Sequence, residues 1–170
     1  MSDISVKSST KFYQTDKKTT TDVWLTNPEL VKKLGHFDLD PCSPNNLPWK
    51  IADRFYRLEN GEDGLILPWE GRVFANPPYS NWVAFLEKLK LHGNGIALIF
   101  NRSETAGFFN HVWNDADSIL FIRRRIKFIK SNFSGSGSST APSVLIAYGK
   151  NNTKALQDSK IEGKLVILKD

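Results

Sequence analysis

Two prolines, Pro77 and Pro78, stand one residue beyond the apolar run Val73-Phe74-Ala75. They can neither donate ladder hydrogen bonds nor continue a sheet, so a strand over 72–76 has to stop there. Ser80 is then placed to cap a helix in which Trp82, Phe85, Leu86 and Leu89 fall at i, i+3, i+4 and i+7, the stripe of a helix packed on a sheet. His92-Gly93-Asn94-Gly95 closes that helix, and Ile96–Phe100 reads as a buried strand. A second helix over Thr105–Trp113, with Phe108, Phe109, Val112 and Trp113 inward, leads to a strand at Ser118–Ile122 that continues into Arg123–Lys130. Strand, helix, strand, helix, strand predicts right-handed β-α-β units. The expected fold class is α/β, a mostly parallel central sheet with helices on both faces. In such sheets ligands bind outside the carboxyl ends of the strands, which directs attention to the ends of 37–40 and 73–76.

On the amino-terminal side, residues 1–20 are rich in Ser, Thr and Lys without a hydrophobic period, and read as a mobile arm ahead of a domain over 21–170. Asn27-Pro28-Glu29 opens a short helix with Leu30, Val31 and Leu34 on its apolar face and Gly35 at its end. A strand follows at His36–Asp40, with Phe37 and Leu39 alternating with Asp38 and Asp40. Pro41–Trp49 reads as loop, Ile51–Leu58 as either helix or strand, and 59–64 as a turn. Ser131–Thr140, with five Ser and two Gly, reads as a flexible loop, and Ser143–Tyr148 and Leu165–Leu168 as further strands.

Composition narrows the class. A chain of 170 residues suits one domain, and 40% hydrophobic against 24% charged residues is a globular balance. One cysteine, Cys42, excludes an internal disulfide framework and a multi-cysteine zinc site. No apolar run approaches the roughly 20 residues of a membrane span. The start of the chain lacks the apolar segment of a signal peptide, so a cytoplasmic protein is expected. The histidines at 36, 92 and 111 stand beside no metal-ligand pattern; structural roles, and no metal, are expected. Lys+Arg number 23 and Asp+Glu 18, and the resulting +5 leans toward an anionic partner without demanding one.

Asn76-Pro77-Pro78-Tyr79 carries the chemistry. Four such residues can be a proline-stiffened turn, but their place at the carboxyl end of a strand favours function. The exocyclic amine of an adenine is a poor nucleophile because its lone pair is delocalised into the ring. The Asn76 side-chain carbonyl and the Pro77 backbone carbonyl can accept both amine hydrogens and favour the pyramidal geometry in which the lone pair attacks. The two prolines hold that arrangement ready beforehand. Tyr79 offers a flat face for an extruded base.

These four residues resemble the catalytic motif of amino-methyltransferases that use S-adenosylmethionine, and the wider chain resembles the phage-type DNA N6-adenine methyltransferases, the Dam family. The resemblance rests also on Asp22-Val-Trp-Leu-Thr26, Phe37-Asp-Leu-Asp-Pro-Cys42, Val73–Ser80 and Arg125-Ile-Lys-Phe128, in this order over about residues 20–150. It implies a minimal, single-domain Rossmann-like methyltransferase fold, S-adenosylmethionine as methyl donor, and duplex DNA as partner. It implies catalytic roles for Asn76, Pro77, Pro78 and Tyr79. Asp40-Pro41-Cys42 resembles the start of the cofactor motif, with Ser43-Pro44-Asn45-Asn46 where the family has a glycine-rich continuation. The acidic residue there sits beside the methionine moiety; a carboxylate holding the ribose hydroxyls is the alternative. Asp38 is either a second cofactor contact or the cap of a strand end. Asp63, in an Asp-Gly turn of an ordinary kind, matches an acidic contact to the cofactor adenine, and Trp24 and Thr26 match a segment lining the cofactor pocket, though the tryptophan also suits a core.

Arg123, Arg124, Arg125, Lys127 and Lys130 interleave with Ile126, Phe128 and Ile129. In an extended segment Arg123, Arg125 and Lys127 share one face. A charge run is usually a solvated surface; beside a Ser/Gly loop, contact with DNA phosphates is the better reading. Arg102, after Ile96–Phe100, is a further DNA candidate that could instead pair with Glu104. The same chemistry on RNA or protein glutamine, and a DNA-binding module on a decayed methyltransferase fold, are the rival readings. A monomer is expected, with a dimer as the alternative.

Overall fold

A computed structural model of the chain describes residues 24–45, 47–130, 136–138 and 141–169. The arm expected over 1–20 lies outside the described residues, as do the side chains of Trp24 and Lys130.

Among the described residues, seven strands form the main sheet: β2 (Leu39–Asp40), β3 (Arg54–Phe55), β4 (Val73–Ala75), β5 (Gly95–Phe100), β6 (Ser118–Ile122), β9 (Ser143–Tyr148) and β10 (Gly163–Ile167), in the order β10-β6-β9-β5-β4-β2-β3. A second sheet pairs β1 (Trp24–Leu25), β7 (Lys127–Lys130) and β8 (Ser136–Ser138) in the order β1-β7-β8. The chain resolves Ile51–Leu58 as the short edge strand β3 followed by a 3-10 turn at Leu58–Asn60.

The main sheet is mixed, which corrects the expectation of a mostly parallel one. β3, β2, β4 and β5 pair in parallel, whereas β5–β9, β9–β6 and β6–β10 are antiparallel. The excursion between β6 and β9 explains this. It leaves the sheet at its carboxyl edge and returns at that same edge, so β9 has to run back down between β5 and β6. Helix α4 (Lys150–Asp158) then carries the chain up again, and β10 descends beside β6.

Alternation along each strand feeds two apolar layers. Val73, Ala75, Ala97, Ile99, Val144 and Ile146 pack on one face against Phe85, Leu86 and Leu89 of α2 (Trp82–His92) and against Phe108 and Val112. Phe74, Ile96, Leu98, Leu145 and Ala147 pack on the other face against Val31 and Leu34, in and just after α1 (Pro28–Lys32), and Leu156 of α4. Helices therefore cover both faces, as expected. Phe37 and Leu39, expected on one side of a strand over 36–40, enter different layers, because the chain bends at Asp38 before the strand begins at Leu39.

Caps follow local chemistry. The Asn27 side chain accepts from the Glu29 N–H at 2.9 Å, with Pro28 at the first helical position. Helix α2 starts at Asn81 rather than on a Ser80 cap. The helix expected over 105–113 is a short α-turn, α3 (Ala106–Phe108), capped by Thr105 and continued by a π-turn over Phe109–Trp113. Phe109, expected inward, stands 52% exposed at the start of the π segment. No described helix is long and apolar enough to cross a membrane.

Candidate active site

The carboxyl ends of β2, β4 and β5 lie along one edge, which places Asp40, Asn76 and Phe100 there together. Two cavities open on that edge, and both are lined by Asn76 and Pro78.

The first cavity, about 280 Å³, is walled by the loops after β2 and β3 and by the start of α2. Thr26, Asp40, Pro41, Cys42 and Asp63 line it, together with Leu65 and Phe85. Asp40, Glu62 and Asp63 are its charged residues, and among the described residues no Lys or Arg lines it. Its chemistry suits a partly apolar, cationic molecule.

Asp40 is buried at 3% exposure and accepts from the Cys42 N–H at 3.1 Å. Burial pushes its carboxyl up to about 7, against the pull of the Cys42 and Ser43 hydrogen bonds and of the Arg57 charge. Desolvation, with Asp40 close by, also lifts the Cys42 thiol in this wall well above its usual range, so it stays protonated. The Asp63 carboxylate accepts from the Leu65 N–H at 2.8 Å, the turn chemistry expected of Asp-Gly, while also facing the cavity.

Gly64 makes this cavity: a Cβ there would stand 1.8 Å from the Pro41 carbonyl oxygen, so only glycine lets the two loops meet. Lys88 of α2 ties the same loop down. Its ammonium donates to the carbonyls of Gly64, Leu65 and Leu67 at 3.0, 3.0 and 2.6 Å, and stands 5.2 Å from the centre of the Trp69 ring. Neither residue stands out in the sequence, because a close backbone approach and a lysine cap appear only once the chain is folded.

The second cavity, about 290 Å³, is lined by Asn76 through Tyr79, by Trp82, Phe100 and Phe128, and by Arg102. Tyr79 stacks on Phe100 with ring centroids 4.4 Å apart and an interplanar angle of 23°. It is a mainly aromatic slot with one cation and no acidic side chain among its lining residues. Phe100 ends a strand beside β4, so the carboxyl-end rule reaches it as readily as it reaches Arg102; the sequence pattern shows Trp82 and Phe128 only as packing residues.

Between the cavities, the Asn76 amide donates from Nδ2 to the Thr26 hydroxyl at 2.9 Å. Asp38 lines neither cavity. Its carboxylate accepts from the Arg72 backbone N–H at 2.6 Å, at the opposite edge of the sheet. There the ligating atoms of His36, Asp38 and Asp53 come within 4.8 Å of one another, a grouping that spacing did not reveal. The Arg72 guanidinium donates to the His36 carbonyl at 2.7 Å, and its charge opposes a cation at that place.

The basic segment divides. Arg123 and Arg124 are exposed and both approach Glu162, at 3.9 and 3.6 Å. The chain bends at 123–124 instead of continuing β6, and Lys127 begins β7 in the other sheet. Ile126 and Phe128 are buried as their alternation with Lys127 requires. Of the Ser131–Thr140 loop, 136–138 form β8 against β7, and the rest lies outside the described residues.

Compared with known families, the chain matches the model described as DNA N-6-adenine-methyltransferase (Dam) over residues 8–161, a span that includes every residue lining either cavity. No curated protein and no solved structure matches it.

Proposed function

The chain belongs to the DNA N-6-adenine-methyltransferase (Dam) family, and from that premise we propose that it transfers a methyl group from S-adenosylmethionine to the N6 amine of an adenine at specific sites in duplex DNA. The observation that carries this reading is the meeting of two differently lined cavities at Asn76 and Pro78.

The acidic cavity fits the donor. S-adenosylmethionine carries a sulfonium and an ammonium against one carboxylate, a net cation, and the buried Asp40 carboxyl has no cationic side chain beside it in the cavity wall. Asp40 would hold the methionine end, with Thr26, Pro41 and Cys42 along the wall, and Asp63 and Leu65 would hold the adenine end. Bound there, the cofactor supplies a methyl group already activated by the sulfonium.

The aromatic cavity fits an extruded base. Tyr79, stacked on Phe100 and 60% exposed, offers its outer face to the base, and Arg102 at the rim suits the phosphate that follows the base out of the duplex. Asn76 Oδ1 and the Pro77 carbonyl accept the two amine hydrogens and turn the nitrogen lone pair toward the donor cavity. Pro77 and Pro78 keep those acceptors still, so little reorganisation remains at the reacting step. The new N–C bond forms as the S–C bond breaks, and the amine's surplus proton leaves to water. Nothing in this sequence of events calls for a metal ion. Arg123, Arg124, Arg125, Lys127 and Lys130 run from the same edge and contact phosphates, which position the duplex.

Tritium transfer from labelled S-adenosylmethionine to duplex DNA, RNA and protein, run in parallel, tests the proposal. Label in N6-methyladenine of the duplex, at recurrent sites, is the expected result. Label in RNA or glutamine alone would move the chemistry to another substrate, and label in none would leave a binding module.

A further inference from the structure

An amide side chain is chemically two-ended: Asn76 Oδ1 accepts hydrogen bonds and Nδ2 donates them. A target amine in the aromatic cavity brings N–H donors, so only Oδ1 turned toward it can help; the flipped amide would set N–H against N–H. The Thr26 hydroxyl stands 2.9 Å from Nδ2, and Thr26 itself is buried in the wall of the donor cavity. Its backbone is held on both sides. Leu25, just before it, pairs with Ile129 of β7, and the Trp49 indole N–H donates to the Thr26 carbonyl at 3.2 Å.

We infer that Thr26 is a positioning residue for the transfer: its hydroxyl engages Asn76 Nδ2 and so leaves Oδ1 facing the target amine. This rests on the role proposed above for Asn76, and it differs from the expectation that Thr26 merely lines the cofactor pocket. A hydroxyl can also donate, to Oδ1 of a flipped amide. The target breaks that symmetry, because only the orientation seen here satisfies the Thr26 hydroxyl, both ends of the amide and the amine together. Without the hydroxyl, this orientation leaves Nδ2 half-buried and unpaired, and the amide gains by turning away.

Thr26→Val keeps the shape and removes the hydroxyl; Thr26→Ser keeps the hydroxyl and removes the methyl. Thr26→Val is expected to lower kcat roughly 10- to 100-fold. Its KM for S-adenosylmethionine and for DNA should stay within about threefold, the pattern of an interaction made in the transition state. Thr26→Ser is expected to recover most of the rate. A normal kcat in Thr26→Val would overturn the inference, as would a loss confined to KM for S-adenosylmethionine, or a Thr26→Ser protein as impaired as Thr26→Val. A readout on the unaltered protein needs neither variant nor turnover: with 15N-labelled asparagine, one side-chain amide proton of Asn76 should exchange with solvent more slowly than those of exposed asparagines. Exchange at the free-amide rate would sink the contact. Slow exchange in a protein that methylates nothing would instead fault the proposed function and leave the contact standing.

Discussion

A carboxyl at 3% exposure has lost most of its hydration, and Asp40 responds by keeping its proton to about pH 7 rather than 3.8. The sign for stability follows. Between about pH 4 and 7 the ligand-free fold holds a proton that the unfolded chain has lost, so this contribution is present below that range and is lost as pH rises through 7. The sign for binding is opposite, because a cationic ligand selects the charged carboxylate. Affinity for S-adenosylmethionine should strengthen with pH by up to about tenfold per unit until near 7, then level off. Asp40→Asn should abolish that dependence and bind weakly throughout. Calorimetric titrations from pH 5.5 to 8.5 check both, and a flat wild-type profile would remove Asp40 from the cationic end of the ligand.

At this scale the sequence was readable where chemistry is carried by residue type. Asn76 through Tyr79, Arg102 and the Asp40–Cys42 run reach the two cavities. Asp38 does not, because an acidic residue at a strand start looks the same whether it faces a ligand or, as here, an Arg72 backbone N–H. Gly64 and Thr26 gain their roles from partners 23 and 50 residues away in sequence, Pro41 and Asn76, which no local pattern exposes.

At the scale of elements, β7 presents a buried face, with Phe128 in the wall of the aromatic cavity, and an exposed Lys127 that follows the Arg123–Arg125 bend. If this edge holds phosphates, replacing Arg123, Arg125 and Lys127 together by Gln should weaken duplex binding. It should also lower the slope of log Kd against log salt by roughly 2–3, close to one unit for each phosphate that is no longer neutralised. An unchanged slope would return the segment to a solvated surface, with Glu162 as the partner of Arg123 and Arg124. Elements with a strong apolar period were legible, namely α2, β4, β5 and β9. Helix α4 was not, since its buried positions are Asn152 and Leu156 alone and, Ala155 apart, the rest of its sequence is polar. Its anchor is a hydrogen-bond set: Asn152 joins Arg72, Asn94 and the Tyr148 carbonyl at 2.6, 3.0 and 2.8 Å.

Across the whole molecule, helices on both faces followed from two-sided strand alternation, whereas strand direction did not. An apolar run such as Ser143–Tyr148 has the same period whichever way it points; its direction was decided by where the excursion between β6 and β9 returns. That excursion also unites the functional parts. It carries the basic segment, contributes Phe128 to one cavity, and pairs through β7 with the strand leading into Thr26, which lies beside the other. The two cavities share Asn76 as a common wall, and that is where methyl transfer is proposed. The most direct measurement is on Asn76→Ala: S-adenosylmethionine affinity by calorimetry, and tritium transfer to duplex DNA. Affinity within about threefold of wild type is expected, together with a transfer rate at least about 100-fold lower. Transfer at the wild-type rate would contradict a reaction at this residue.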